Sequence, residues 1–326
     1  MSLILTHIAT SDGKIKRSSL EVLSHCREEA KKNGHTLAAV VLDPAPDSYT
    51  DTLGKYGATA VYTVKNPVFK NHLNTPVIEA LATVIKKVKP VVVAFASTEA
   101  VKDVMGALAT RFHAAAVPDV ASFRVTGGGV EATRPVMASK ILAKTEAKGE
   151  MVFVSVRSGS YDASESPVTP ELTAIPYEFD EGGLKTILKE VIKASGDKVD
   201  LNEASVVVAA GRGVKDDEGR KLIEELASLF NGAIGASRSV VETGMFDPST
   251  QIGQTGKVVS PELYFAIGIS GAIQHVAGMV NSKVIVAINK DEDAPIFQYA
   301  TYGLVGDLYK ILPPLIEKLR EAKANA

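Results

Sequence analysis

The chain has 326 residues, 45% of them hydrophobic and 23% charged, with a formal net charge of −2. That composition fits two globular domains and gives no overall pull toward nucleic acid or an anionic membrane. Cys26 is the single cysteine, which excludes an internal disulfide and a cysteine-based zinc site, and no apolar run reaches the roughly 18 residues that a membrane-spanning helix needs. The expectation is a soluble, untargeted chain of a reducing compartment.

Leu3 to Ile8 reads as a buried strand, and Ser18 to Asn33 as a helix closed by Asn33-Gly34, a good C-terminal cap. Strands at Leu37 to Leu42, Ala60 to Val64 and Val91 to Ala96 then alternate with helices at Asp47 to Tyr56, Pro76 to Val88 and Glu99 to Phe112. Such alternation predicts right-handed crossovers and a mostly parallel sheet. After Pro118, the segments Val120 to Val125, Val130 to Val136, Lys140 to Glu146 and Met151 to Val156 read as short antiparallel strands that extend the first sheet. The Ser-, Pro- and Thr-rich stretch from Arg157 to Pro176 reads as a loop, and Gly182 to Lys193 as a connecting helix.

A second alternation starts at Ser205. Val206 to Ala210, Gly232 to Ala236, Tyr264 to Ile269 and Val284 to Asn289 are its predicted strands, with a helix at Glu218 to Phe230. Another helix is expected to open at Ser270, and a last one to start at Asp307 and break at Pro313-Pro314.

Two glycine patterns invite nucleotide readings, and both fail. Gly211-Arg212-Gly213 follows a strand, but the third glycine of a dinucleotide fingerprint is replaced by Asp216. Gly253-Gln254-Thr255-Gly256-Lys257 has too few residues between its glycines for a Walker A loop, and Val258 stands where that loop has Ser or Thr. Each glycine alone is explained as a turn former. The loop Gln251 to Lys257, followed by Ser270-Gly271-Ala272-Ile273-Gln274-His275 at a helix start, nevertheless offers amides and hydroxyls in an anion-binding arrangement. Taken alone, His275 suits a structural role, Arg238 suits the surface as well as a site, and Asp307 suits a helix cap. Together, Arg212, Ser237, Arg238, Thr255, Ser270 and Asn289 all fall at predicted strand ends or in the loops after them, and so describe one crevice. No nucleophile elbow, His-Glu-x-x-His pair or cysteine–histidine nucleophile is present.

Five stretches carry a family resemblance: Gly235-Ala236-Ser237-Arg238, Gln251 to Lys257, Pro261-Glu262-Leu263-Tyr264, Gly268 to His275, and Ile288-Asn289-Lys290-Asp291 with Ala294-Pro295-Ile296-Phe297. The chain closely resembles the alpha subunit of electron-transfer flavoprotein, densely over about residues 205 to 319 and in layout before that. The resemblance implies two three-layer α/β domains with mostly parallel sheets. Residues 1–200 would form a nucleotide-hydrolase-like domain that contacts a beta subunit, and 204–326 a Rossmann-like domain that binds one FAD non-covalently. Carried over by motif, the FAD contacts would be Arg212, Ser237, Arg238, Ile252, Gly253, Gln254, Thr255, Ser270, Gly271, Ala272, Ile273, Gln274, His275, Asn289, Asp307 and Leu308. Arg238 is similar to the family arginine over the isoalloxazine ring, Thr255 to the hydroxyl donor at flavin N5, and His275 to the donor near flavin O2. These three would tune the redox potential.

The implied function is an electron carrier without substrate turnover of its own. It would pair with a beta subunit that usually carries AMP, accept electrons from acyl-CoA dehydrogenases of fatty acid beta-oxidation and other flavin dehydrogenases, and pass them to a membrane quinone oxidoreductase. The expected compartment is the bacterial cytoplasm, with a processed mitochondrial matrix form as the alternative. Competing readings are an electron-bifurcating subunit using NADH, a nucleotide-binding enzyme on the same fold, and a regulatory subunit without flavin.

Overall fold

The computed structural model describes residues 2–71, 73–137, 141–180, 182, 184 and 199–324. The chain divides into two compact units, Met1–Lys193 and Ala194–Ala326. The expected helix over Gly182 to Lys193 falls almost wholly outside the described residues. Among those residues, no helix is long and apolar enough to cross a membrane.

In the first unit the elements are β1 (Leu3–Ile8), β2 (Thr10–Ser11), β3 (Lys14–Ile15), α1 (Arg17–Asn33), β4 (Thr36–Asp43), α2 (Thr50–Lys55), β5 (Ala60–Lys65), α3 (Asn74–Val88), β6 (Val92–Ala96), α4 (Glu99–Phe112), β7 (Ala115–Val120), β8 (Ser122–Thr126), β9 (Gly129–Val136), β10 (Ile141–Lys148), β11 (Val152–Val156) and β12 (Glu171–Ala174). Seven strands form one sheet in the order β12-β5-β4-β1-β6-β11-β7, with every pair parallel. Alternate residues of the central strands feed two cores. Leu37, Ala39 and Val41 join the core under α1, whereas Ala38, Val40 and Leu42 join the one under α3 and α4.

The expectation that four antiparallel strands extend this sheet is corrected. β8, β9 and β10 form a separate antiparallel sheet, while β11 runs parallel between β6 and β7. Burial accounts for the split: every residue of β11 is buried, whereas β8 and β10 carry exposed positions along their length. A strand sandwiched between helical layers reads as a continuous apolar run, and a strand with one wet face reads as an alternation. The presumed loop Arg157 to Pro176 also contributes β12, which pairs with β5.

The second unit contains β13 (Val206–Ala210), α5 (Asp217–Leu229), β14 (Ala233–Ala236), α6 (Arg238–Val241), β15 (Leu263–Ile267), α7 (Ile273–Val276), β16 (Val284–Asn289), β17 (Tyr302–Val305) and α8 (Leu308–Ala324). Its sheet is all parallel, in the order β14-β13-β15-β16-β17. The order reverses between β13 and β15, so the carboxyl ends of these two strands flank a topological switch point, the usual place for a ligand crevice. One sheet face packs Val208, Ala210, Phe265 and Ile267 against α5 and α8. The other packs Val207, Ala209, Tyr264 and Ala266 against Ile252, Val259, Ile269, Met279, Ala294 and Ile296, which come mainly from connecting segments.

Two expectations for this unit are revised. Edge strand β17 was not foreseen, because its four residues are all exposed and Gly303 interrupts the apolar pattern. Helix α8 continues through Pro313 and Pro314 without a break. Leu308, Leu312 and Ile316 hold its inner face in the core, and both prolines lie on the exposed side, where the carbonyls they leave unpaired can be hydrated. Pro314→Ala should therefore restore a main-chain donor and raise stability by roughly 1–3 kcal/mol, up to the proline–alanine propensity difference. Urea unfolding of the variant against the parent chain checks this.

Candidate functional site

A cavity of about 910 Å³ opens at the carboxyl ends of the second unit's strands. That volume lies at the large end for cofactor sites. Each strand contributes its end or the loop that follows it: Arg212 and Gly213 after β13, Ser237 and Arg238 after β14, Gly268 to Ser270 after β15, Asn289 at the end of β16 with Lys290 and Asp291 after it, and Gly306 to Leu308 after β17. The loop Gln251 to Thr255, with Ala272, Gln274 and His275, completes the wall.

The crevice exists because two main chains approach closely at the switch point. Gly211 N donates to Ile267 O at 2.8 Å and Gly213 N to Gly268 O at 3.1 Å. A Cβ on Gly213 would lie 2.8 Å from Gly268 Cα, and one on Gly211 would lie 2.2 Å from Gly268 O. These glycines are therefore fixed by backbone crossing. Where a fingerprint would have its third glycine, Asp216 caps α5, accepting from Gly219 N at 2.9 Å. That bond, with a second from the Tyr309 hydroxyl, holds the Asp216 carboxyl below its usual range. The start of α5 is thus closed by the protein's own carboxylate.

The loop Gln251 to Lys257 is held just as closely. Ile252 N donates to Ala236 O at 2.9 Å, Gln254 N to Gln274 O at 2.7 Å and Lys257 N to Gln251 O at 2.8 Å. Gly253 adopts φ 146°, where a Cβ would sit 2.8 Å from Gln274 O. The expectation of free loop amides is corrected accordingly: most are spent on holding the loop, and it presents side chains instead. The expected helix start at Ser270 is also revised. Helix α7 begins at Ile273 and has four residues, and Gly271 (φ 87°) packs against the main chain of Ile296. Of the sixteen expected contacts, Gly271 and Ile273 do not line the cavity and the others do.

His275 is buried, and both of its ring nitrogens have protein partners. Nδ1 lies 3.1 Å from Ile252 O and Nε2 lies 2.9 Å from the Tyr264 hydroxyl. A carbonyl only accepts, so Nδ1 carries the hydrogen, and Nε2 accepts from the fully buried tyrosine. Burial lowers the imidazole to about 4, so the ring is neutral near pH 7. Serving as a ligand donor, the role expected for it, would require exchanging one of these partners.

The remaining polar groups define what the cavity can hold. Asn289 Nδ2 donates to Ile269 O at 2.8 Å, which ties two loops together. Asp307 caps α8 through Tyr309 N at 3.0 Å, the bland role sequence favoured for it. The Arg238 guanidinium is 70% exposed and donates through Nε to Glu242 at 2.7 Å, leaving its two terminal nitrogens without a hydrogen bond among the described residues. The contact set read from sequence leaves out Lys215, Glu242 and Tyr309, and also Gln251 and Lys290, which its motifs contain; all five line the cavity. Gln251 and Lys290 belong to recognised motifs and Tyr309 follows Leu308, whereas Lys215 and Glu242 lie outside every motif. Hydroxyls at Ser237, Thr255 and Ser270, with cations at Arg212, Lys215, Arg238 and Lys290, suit a ligand that joins a pyrophosphate to a ring with polar edges. The residues present therefore fit FAD.

The buried neutral histidine sets a pH dependence. Burial holds its folded-state value below the ordinary histidine range near 6.5, so the unfolded chain binds the extra proton first, and stability falls as pH drops from about 6.5 toward 4. His7, also buried and lowered to about 4, contributes with the same sign. His275→Gln should remove a share on the order of 2–3 kcal/mol from the pH-dependent loss, measured as the difference between urea-unfolding series at pH 7 and pH 4.5.

Comparison with known proteins bears on both units. The family model described as "Electron transfer flavoprotein domain" matches residues 4–179, and "Electron transfer flavoprotein FAD-binding domain" matches residues 200–280. Electron transfer flavoprotein subunit alpha of Bacillus subtilis is 38% identical over 97% of this chain and 96% of its own length. The subunit alpha of Mycobacterium leprae is 35% identical over 99% of this chain and 100% of its own. Protein FixB of Clostridium saccharobutylicum is 34% identical over 95% of this chain and 94% of its own. With matches over both units and nearly full-length relatives, this chain belongs to the electron transfer flavoprotein alpha-subunit family, and the cavity lies in its FAD-binding domain.

Proposed function

We propose that this chain is the FAD-carrying subunit of a two-subunit electron carrier with no substrate turnover of its own. A beta subunit, usually with AMP, would complete the molecule. Electrons would arrive from acyl-CoA dehydrogenases and other flavin dehydrogenases and leave to a membrane quinone oxidoreductase, in the bacterial cytoplasm that the bacterial relatives suggest. The observation that carries the reading is the pairing of a large crevice with polar groups suited to hold and polarise a ring.

FAD, when bound, supplies reversible electron uptake at its isoalloxazine ring, and the protein supplies position and field. Arg212, Lys215 and Lys290 provide positive charge for the pyrophosphate, and Ser237 and Ser270 provide hydroxyl donors. The guanidinium of Arg238 brings positive charge to the cavity wall and favours any negative charge that develops beside it. Thr255 presents a hydroxyl from a loop whose main chain is largely tied by hydrogen bonds, so the donor is preorganised. A neutral His275 contributes no charge and acts as a strut beneath that loop.

The first experiment is an absorption spectrum of the chain co-purified with its beta subunit, followed by reduction with an acyl-CoA dehydrogenase and its substrate. Flavin bands that bleach through the dehydrogenase support the carrier reading. A protein that stays colourless after incubation with FAD refutes it, and bleaching by NADH alone points to a bifurcating carrier instead.

Arg238→Ala should leave FAD bound while lowering the potential of the first reduction step, because a cation that favours added negative charge is lost. Spectroelectrochemical titration reads this directly, and an unchanged or raised potential removes Arg238 from the tuning role.

A further inference from the structure

Gln251 lines the cavity beside Thr255, and its backbone is immobilised at three points. Its N donates to Pro248 O at 3.1 Å, its O accepts from Lys257 N at 2.8 Å, and it bridges to Ala236. A Cβ on Gly256 would lie 2.4 Å from Gln251 O and 3.1 Å from Gln251 Cγ. A glycine at 256 therefore clears the space in which the glutamine side chain turns back over the loop. It ends at Thr255, where Nε2 donates to Oγ1 at 3.1 Å.

The polarity of that bond matters. A threonine hydroxyl has one hydrogen to give and two lone pairs to receive. Because Gln251 fills a lone pair, the hydrogen remains available, and the hydroxyl makes no other hydrogen bond among the described residues. We infer that Gln251 is a positioning residue that orients the Thr255 hydroxyl and leaves its hydrogen free for donation to an acceptor atom on the ring of the bound ligand. This inference rests on the reading that Thr255 faces the bound flavin. An acceptor-only side chain of the same shape would reverse the polarity, capturing the hydroxyl hydrogen for itself. The amide at 251 is thus the specificity element, which neither a hydrophobe nor a carboxylate replaces.

The test uses the full-length chain with its partner subunit, FAD as the probe, and the variants Gln251→Leu, Gln251→Glu, Thr255→Val and the Thr255→Val/Gln251→Leu double. FAD affinity is read by titration of the apoprotein, and the first-step potential by spectroelectrochemistry. Gln251→Leu should weaken FAD binding about 3- to 10-fold, the range of one hydrogen bond, and should add nothing in the Thr255→Val background. Gln251→Glu should lose more at pH 7.5 and recover toward Gln251→Leu as pH falls to the carboxyl range near ~4.3, a profile that a packing defect does not produce. Wild-type affinity and potential in Gln251→Leu alongside a defective Thr255→Val overturns the inference and leaves the proposed function standing. So do losses that add in the double variant. If Thr255→Val itself behaves as wild type, the placement of Thr255 against the flavin has failed, and the role of Gln251 fails with it.

Discussion

The second unit depends on the contact between the main chains of Gly211–Gly213 and Gly268. Hydrogen bonds from Gly211 N to Ile267 O and Gly213 N to Gly268 O carry the β13–β15 ladder past the ends of both strands. Beyond that contact the two chains separate to opposite sides of the sheet, because the strand order reverses there. The cleft is what the separation leaves. Any side chain at these positions would force the strand ends apart, and the loops carrying Arg212 and Ser270 would lose their common origin.

The cavity walls trade hydrogen-bonding freedom for rigidity. Loop 251–257 spends most of its amides on Pro248, Ala236, Gln274 and its own residues, and His275, itself anchored by Tyr264, braces Ile252 from below. What remains to meet a ligand is a few side chains on a backbone that has already lost its entropy, so binding need not order it again. Charge completes the site: the cations among the lining residues are partly countered by Glu242, Asp291 and Asp307. At such exposure, Arg238 and Glu242 hold each other loosely, which suits a group meant to respond to charge beside it.

Much of this was legible in sequence. Strands buried on both faces, such as β4, β6 and β13, announce themselves as unbroken apolar runs, and the convergence of Arg212, Ser237, Thr255, Ser270 and Asn289 follows from their places after strands. The misses have identifiable causes. Strand β11 has the same apolar run, but its short spacing after two hairpins suggested a further antiparallel strand. Exposed β17 carries no burial pattern. Pro313-Pro314 signals a break that core anchoring on the opposite side overrides. Around the cavity, sequence named residue types well but could not tell which groups were already engaged. The partners of His275 lie 11 and 23 residues away along the chain, and the donor polarity at Thr255 depends on a bond between side chains.

One face of the second unit's sheet is sealed by connecting segments instead of long helices, with Ile252, Val259 and Ile269 among the residues packed on it. Ile252 therefore serves at once as roof of the hydrophobic core and wall of the cavity. Segments of this kind open locally at lower free energy than whole helices. Exchange of β13 and β15 amide protons through this face accordingly works against the main-chain hydrogen bonds that hold loop 251–257. A ligand that clamps the loop slows that exchange in strands it never touches. In this domain, occupancy of the site and solidity of the interior are two readings of one equilibrium.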